Sequence, residues 1–81
     1  MTAHVLTDVL GPVVVDWLGP DAHSDDAFDL LTLIADREGP YVAAAWLIGM
    51  NPHLGDTSPL HAIRNGHGVD ARNAARAQIN A

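Results

Sequence analysis

The sequence contains no cysteine and no lysine. The absence of cysteine excludes disulfide bonds, thiolate catalysis and cysteine-based zinc sites. The absence of lysine leaves only arginines as basic residues, four in all, against ten acidic residues, a formal net charge of −6. Proteins bind nucleic acid largely through basic side chains that replace counterions on the phosphates. We therefore do not expect this chain to bind DNA directly.

Long apolar runs are also missing from the sequence. No stretch approaches the roughly 18–20 uncharged apolar residues that a membrane span needs, and no secretory signal is recognisable at the beginning. The hydrophobic fraction is 48% and only 17% of residues are charged, a composition typical of folded chains. We expect a single cytoplasmic domain over residues 1–81 that does not associate with membranes.

Gly-Pro pairs at residues 11–12, 19–20 and 39–40 divide the chain. Glycine just past one helix with proline at the first position of the next is typical of helical proteins. Apolar residues between Val5 and Leu18 follow the i, i+3, i+4, i+7 pattern, which predicts a helix kinked or broken at residues 11–12. The run Val13–Val15 alone would suit a strand, but no second β-rich run exists to pair with it.

Further helices are expected downstream. Ser24 is the predicted N-cap of a very apolar helix, with Asp25 and Asp26 in its first turn. The other predicted helices cover residues 41–48, residues 59–64 behind a Ser58-Pro59 cap, and residues 71–79. The predicted fold is all-α, a small bundle of about five short helices, with Trp17 and Trp46 as aromatic anchors in its core. Residues 1–26 form its short N-terminal helical segment.

The last predicted helix has a thin apolar stripe. It consists of Ala71, Ala74, Ala75 and Ile79, flanked by Arg72 and Arg76. So thin a stripe predicts weak packing on the core. A partner that completes this helix and a frayed C-terminus are both open interpretations.

No residue pattern indicates an enzyme. The spacing of His53, His61 and His67 matches no compact metal-ligand motif. Residues 66–71 formally match the dinucleotide fingerprint Gly-x-Gly-x-x-Ala, but no strand and no βαβ unit surround them. Both serines are assigned as helix caps, and the acidic cluster 25–29 is attributed to helix-start electrostatics. We expect a non-catalytic protein without a metal or other cofactor.

The stretch 45–66, AWLIGMNPHLGDTSPLHAIRNG, resembles the toxin-binding domain of the MbcA/ParS/Xre antitoxin family. That family is marked by a Trp-Leu helix end, an Asn-Pro-x-Leu-Gly or Asn-Pro-x-Leu-Asp turn, and a (Ser/Thr)-Pro-Leu-x-x-(Leu/Ile)-Arg-x-Gly helix. A weaker likeness extends the resemblance over residues 27–81. The resemblance implies that the scaffold of the motif is built by Trp46, Asn51, Pro52, Gly55, Ser58 and Pro59.

The same resemblance implies a partner. Family members neutralise a RES-domain toxin, an enzyme that destroys NAD, and their C-terminal region blocks its active-site cleft. Carried over to this sequence, the toxin-binding positions are Arg64, Arg72, Arg76, Gln78, Asn80 and Ala81. Family members also carry an N-terminal Xre-type helix-turn-helix that binds operator DNA. Residues 1–26 are too few and too acidic for that module.

Two functions are therefore expected from the sequence. The first is an antitoxin-like binding module that neutralises a RES-domain toxin by occluding its cleft. The alternative is a regulatory or oligomerisation module that pairs with a full-length Xre-type antitoxin and modulates its assembly or DNA binding. The apolar segments 5–18 and 28–34 would provide the contact surface for such pairing, and for a homo-oligomer.

Overall fold

The computed structural model describes residues 7–80, and within that range the chain is all-α. Residues 7–10 are helical, and five further α-helices follow them. These are α1 (Pro12–Leu18), α2 (Asp21–Glu38), α3 (Pro40–Ile48), α4 (Pro59–Arg64) and α5 (Gly68–Ile79), with a 3₁₀ turn at Pro52–Leu54 between α3 and α4. The predicted small all-α bundle is confirmed. None of the helices in residues 7–80 has the length and apolarity needed to cross a bilayer.

Gly-Pro pairs end one helix and begin the next, as the sequence predicts. At Gly39 the backbone turns to a φ of 89°, and Pro40 then occupies the first turn of α3. Glycine reaches positive φ without the steric cost that a side chain would add, and proline at a helix start loses no hydrogen bond. The break predicted at Gly11-Pro12 is present, because residues 7–10 and α1 are separate helices joined at Gly11.

The predicted N-cap of α2 is wrong. This helix begins at Asp21, with Pro20 at the N-cap position, so Ser24 lies inside the helix and is buried. The backbone amide of Ser24 donates to the carbonyl oxygen of Pro20 at 3.4 Å. Asp21 is the acidic residue of the first turn, and the expected segment boundary after residue 26 falls within α2.

The hydrophobic core is formed by residues of all five helices α1 to α5. Its largest fully buried side chains are Leu18, Ile34, Leu47, Pro59 and Ile63. Trp17 and Trp46 were predicted as core anchors, but both are only half-buried and pack against the outside of this cluster. The centre of the domain is therefore aliphatic.

Helix α5 is packed more firmly than its sequence predicts. Its alanines at 71, 74 and 75 are 0–3% exposed. Side chains this small let the α5 backbone approach its neighbours closely, so a thin stripe is sufficient for burial. The helix also begins at Gly68, three residues before the predicted start.

Polar contacts fix the direction of α5 relative to α2. Arg72 lies 3.7 Å from the carboxylate of Asp29, and Gln78 donates to Glu38 at 3.0 Å. Residue numbers rise together along both helices, so α5 runs beside α2 in the same direction.

Candidate protein-binding surface

The turn at residues 51–57 is organised by Asn51. Its buried side-chain oxygen accepts a hydrogen bond from the backbone amide of His53 at 2.9 Å. Its backbone carbonyl oxygen accepts hydrogen bonds from the backbone amides of Leu54 and Asp56. Pro52 opens the 3₁₀ turn, and Gly55 closes it in the left-handed conformation with a φ of 65°. Each of these residue types suits its position, because an asparagine side chain caps the turn and glycine adopts positive φ without strain.

Helix α4 begins with the predicted Ser58 cap. The Ser58 hydroxyl oxygen accepts the backbone amide of His61 at 3.1 Å and also lies 2.7 Å from His61 Nδ1. Pro59 occupies the first turn and is buried, and the helix ends at Arg64, with Asn65 as its C-cap. The cap and both predicted ends of this helix are confirmed.

Replacing Ser58 with alanine is expected to lower the free energy of unfolding by about 0.5–2 kcal/mol, because an N-terminal amide of α4 loses its acceptor. Urea denaturation measures the loss. Thr57→Ala is the control, since no side-chain hydrogen bond of Thr57 is present among residues 7–80. Equal stability of the two variants would contradict the capping role.

Arg64 ties the motif to α1. Its Nε donates to the carbonyl oxygen of Trp17 at 3.0 Å, and its guanidinium carbon lies 4.8 Å from the centre of the Trp17 ring. His61 contacts the same ring edge to face, at 4.8 Å between centroids. Hydrogen bonding and cation–π attraction both favour this position of Arg64. The residue assigned to toxin binding thus has an internal role as well.

The other positions assigned to toxin binding lie on α5 or just after it. Arg72 and Gln78 have the α2 partners described above, whereas Arg76 is exposed and forms no ion pair within residues 7–80. Asn80 is exposed, and its amide caps the helix by donating to the carbonyl of Arg76. Ala81 lies outside the described residues. Arg64 contacts α1, whereas Arg72 and Gln78 contact α2. The residues assigned to toxin binding therefore do not share one internal contact.

The acidic cluster at residues 25–29 does not lie at a helix start, although the sequence predicts that it does. Because α2 begins at Asp21, helix-start electrostatics does not account for Asp26 and Asp29. Asp29 pairs with Arg72, and a Cβ atom added at Gly68 would lie 2.8 Å from an Asp26 carboxylate oxygen. The Asp26 carboxylate therefore lies beside the N-terminus of α5, where the helix dipole favours negative charge.

The histidines within residues 7–80 do not converge on a metal site. His53 and His67 line a cleft of about 490 Å³, with both polar and apolar walls, between the 51–57 turn and α5. His67 Nδ1 lies 3.9 Å from an Asp70 carboxylate oxygen, and both side chains are largely exposed. Within residues 7–80, no group of three or more His, Cys, Asp or Glu side chains is arranged to hold a metal ion.

The contact of Arg64 with Trp17 was missed by the sequence analysis. The two residues are 47 positions apart, so no local spacing signals it. Only the placement of a large aromatic at the end of the 5–18 stripe hinted that Trp17 meets another element. Leu6 and Val5, which the stripe includes, lie outside the described residues.

No protein-family model matches this chain, and neither a curated protein nor a solved structure is significantly similar to it. The resemblance of residues 45–66 to the antitoxin family therefore stays a prediction that depends on the motif residues themselves.

Proposed function

We propose that this chain is a non-catalytic, antitoxin-like binding module that neutralises a RES-domain toxin by occluding its NAD-binding cleft. The observation that carries the proposal is the local fit of the motif to its structure. Asn51 caps the turn, Gly55 adopts the left-handed conformation and Ser58 caps α4. Each of these residues makes the local contact that its chemistry suits, which supports the scaffold role that the resemblance implies for it.

Arg76 is the position best suited to contact such a toxin. It is exposed in the last turn of α5, without an ion-pair partner in residues 7–80, whereas Arg64 and Arg72 already have internal partners. An unpaired arginine loses less on binding, because no internal contact has to be broken. Arginines that become buried in interfaces commonly contribute about 2 kcal/mol or more, roughly thirtyfold in affinity.

The test uses the full chain, a purified RES-domain enzyme and an assay of NAD consumption. We expect the chain to co-purify with the enzyme and protect NAD, and Arg76→Glu to weaken protection roughly thirtyfold. Arg37→Glu is the matched control, since Arg37 is also exposed in the last turn of its helix, α2. Both substitutions therefore change net charge and helix-end electrostatics alike.

Two results would contradict this function. Failure to bind any RES-domain enzyme would contradict the antitoxin role itself. Equal protection by the Arg76→Glu and Arg37→Glu variants would move the inhibitory surface away from the end of α5.

An assembly role is the second candidate, supported by exposed apolar side chains. Val13, Ile48 and Met50 are 60–82% exposed. The segment 28–34 offers less surface than its sequence suggests, because Leu30, Leu31 and Ile34 are buried in the core. Co-purification with an Xre-type antitoxin, rather than a RES-domain enzyme, would favour this candidate.

A further inference from the structure

An apolar groove of about 430 Å³ lies where the apolar segments 5–18 and 28–34 meet, away from the residues assigned to toxin binding. Its walls are the helical residues 7–10, α2 and the beginning of α3, and its lining includes Val9, Phe28, Leu31, Ala35 and Pro40. Val9 is 38% exposed, so an apolar wall of the groove remains open to solvent. Its volume lies within the range of ordinary binding pockets, roughly 300–1,000 Å³.

Among residues 7–80, the charged residues beside this groove are acidic. Asp36 lines it, and Asp25 precedes Phe28 by three positions, so both carboxylates flank the apolar row on α2. Asp8, which precedes Val9 in the chain, is also exposed. None of the three forms an ion pair within residues 7–80.

The arginine of α2 does not offset these charges. Arg37 follows Phe28 by nine positions, about two and a half helical turns, which places it on the opposite side of α2. The groove therefore combines an apolar floor with unpaired negative charge along its edges.

We propose that this groove binds a basic amphipathic helix of a partner protein. The floor would take apolar side chains from one face of that helix, and its lysines or arginines would pair with Asp25 and Asp36. Phe28 and Asp36 are separated by about 12 Å along α2, enough to contact roughly two turns of a partner helix.

Charge complementarity distinguishes this partner from a second copy of the chain. The chain has a net charge of −6, and two acidic groove edges brought together would repel each other. A basic segment gains from the same carboxylates, and its association should weaken as salt screens them.

The probe for this proposal is a fluorescein-labelled synthetic peptide of leucine and lysine in an amphipathic helical pattern. Its twin carries glutamate in place of lysine. We expect fluorescence anisotropy to show at least roughly tenfold tighter binding of the basic peptide, decreasing with added salt.

Two matched pairs of variants locate the binding. Asp36→Lys should weaken binding of the basic peptide roughly tenfold. Asp16→Lys is an equal charge change at an exposed residue of α1 that does not line the groove, and it should change binding less than about twofold. Val9→Ser should weaken binding, while Val13→Ser, at an exposed valine outside the groove, should not. Circular dichroism and thermal melting establish that each variant folds.

Three outcomes would overturn the proposal. Equal binding of the basic and acidic peptides would remove the role of the carboxylates. Equal effects of Asp36→Lys and Asp16→Lys would show that the overall negative field of the protein, and not the groove, attracts the peptide. A dimer in sedimentation experiments that Val9→Ser dissociates would assign the groove to a second copy. These readouts need no toxin, so they succeed or fail independently of the antitoxin proposal.

Discussion

Deletion of residues 70–81 is expected to abolish the cooperative unfolding transition of this domain. The deletion removes all three buried alanines of α5, together with Ile79, which packs against the core. It also uncovers the surfaces of α2 and α4 that α5 shields. Domains of this length have a free energy of unfolding of only about 4–12 kcal/mol. The loss of this much packing is expected to remove most or all of it.

Thermal melting followed by circular dichroism measures this effect. The control is a truncation after Ile79, which removes only Asn80 and Ala81 and leaves every buried α5 residue in place. We expect the control to melt cooperatively near the temperature of the full chain. A cooperative transition in the 70–81 deletion would show that α1–α4 fold without α5.

Replacing Leu47 with alanine is among the point substitutions with the largest expected effects on stability. Leu47 is fully buried at 0% exposure, and its loss leaves a cavity in the core. Such substitutions cost about 2–5 kcal/mol, which for a domain of this length lowers the melting temperature by roughly 10 °C or more.

Its neighbour Ile48 supplies the control, because that side chain is 60% exposed. Ile48→Ala removes little buried surface and improves helix propensity, so we expect its free energy of unfolding to change by less than about 0.5 kcal/mol. Equal losses from the two substitutions would contradict the orientation of α3.

Helix α3 illustrates how far the sequence alone defines the fold. The Gly-Pro pair and Gly49 mark its ends, so the helix itself was predictable. Which side faces the core was not, because almost every residue of α3 is apolar and no polar face orients it. Only the packing of α3 against α2 and α4 determines that Leu47 is buried and Ile48 is exposed.

The two predicted helix caps, Ser58 and Ser24, also differ in how far local sequence determines them. Ser58 was predicted correctly because its cap is a contact within four residues of chain. Ser24 was predicted wrongly because Pro20 can also precede a helix, and an earlier start gives α2 another turn. A serine that fits a cap position does not exclude a competing start upstream.

The candidate site was predictable only where its contacts are local. The turn at Asn51 and Gly55 follows from residue type and spacing. The hydrogen bond from Arg64 to Trp17 and the ion pair of Arg72 with Asp29 depend on how helices meet in space. The family resemblance implies a toxin-binding role for both arginines, and the sequence alone carried no sign of these internal acceptors.

The attachment of α1 through Trp17 and Leu18 has a consequence for how the domain opens. Leu18 is buried in the core, and the Trp17 carbonyl and ring are held by Arg64, while most earlier residues of α1 are exposed or half-buried. Segments held by few buried contacts open at a lower free energy than the whole domain. Backbone amides of α1 can therefore exchange with solvent deuterium through a local opening, while those of α2 near Ile34 exchange only when the core itself unfolds.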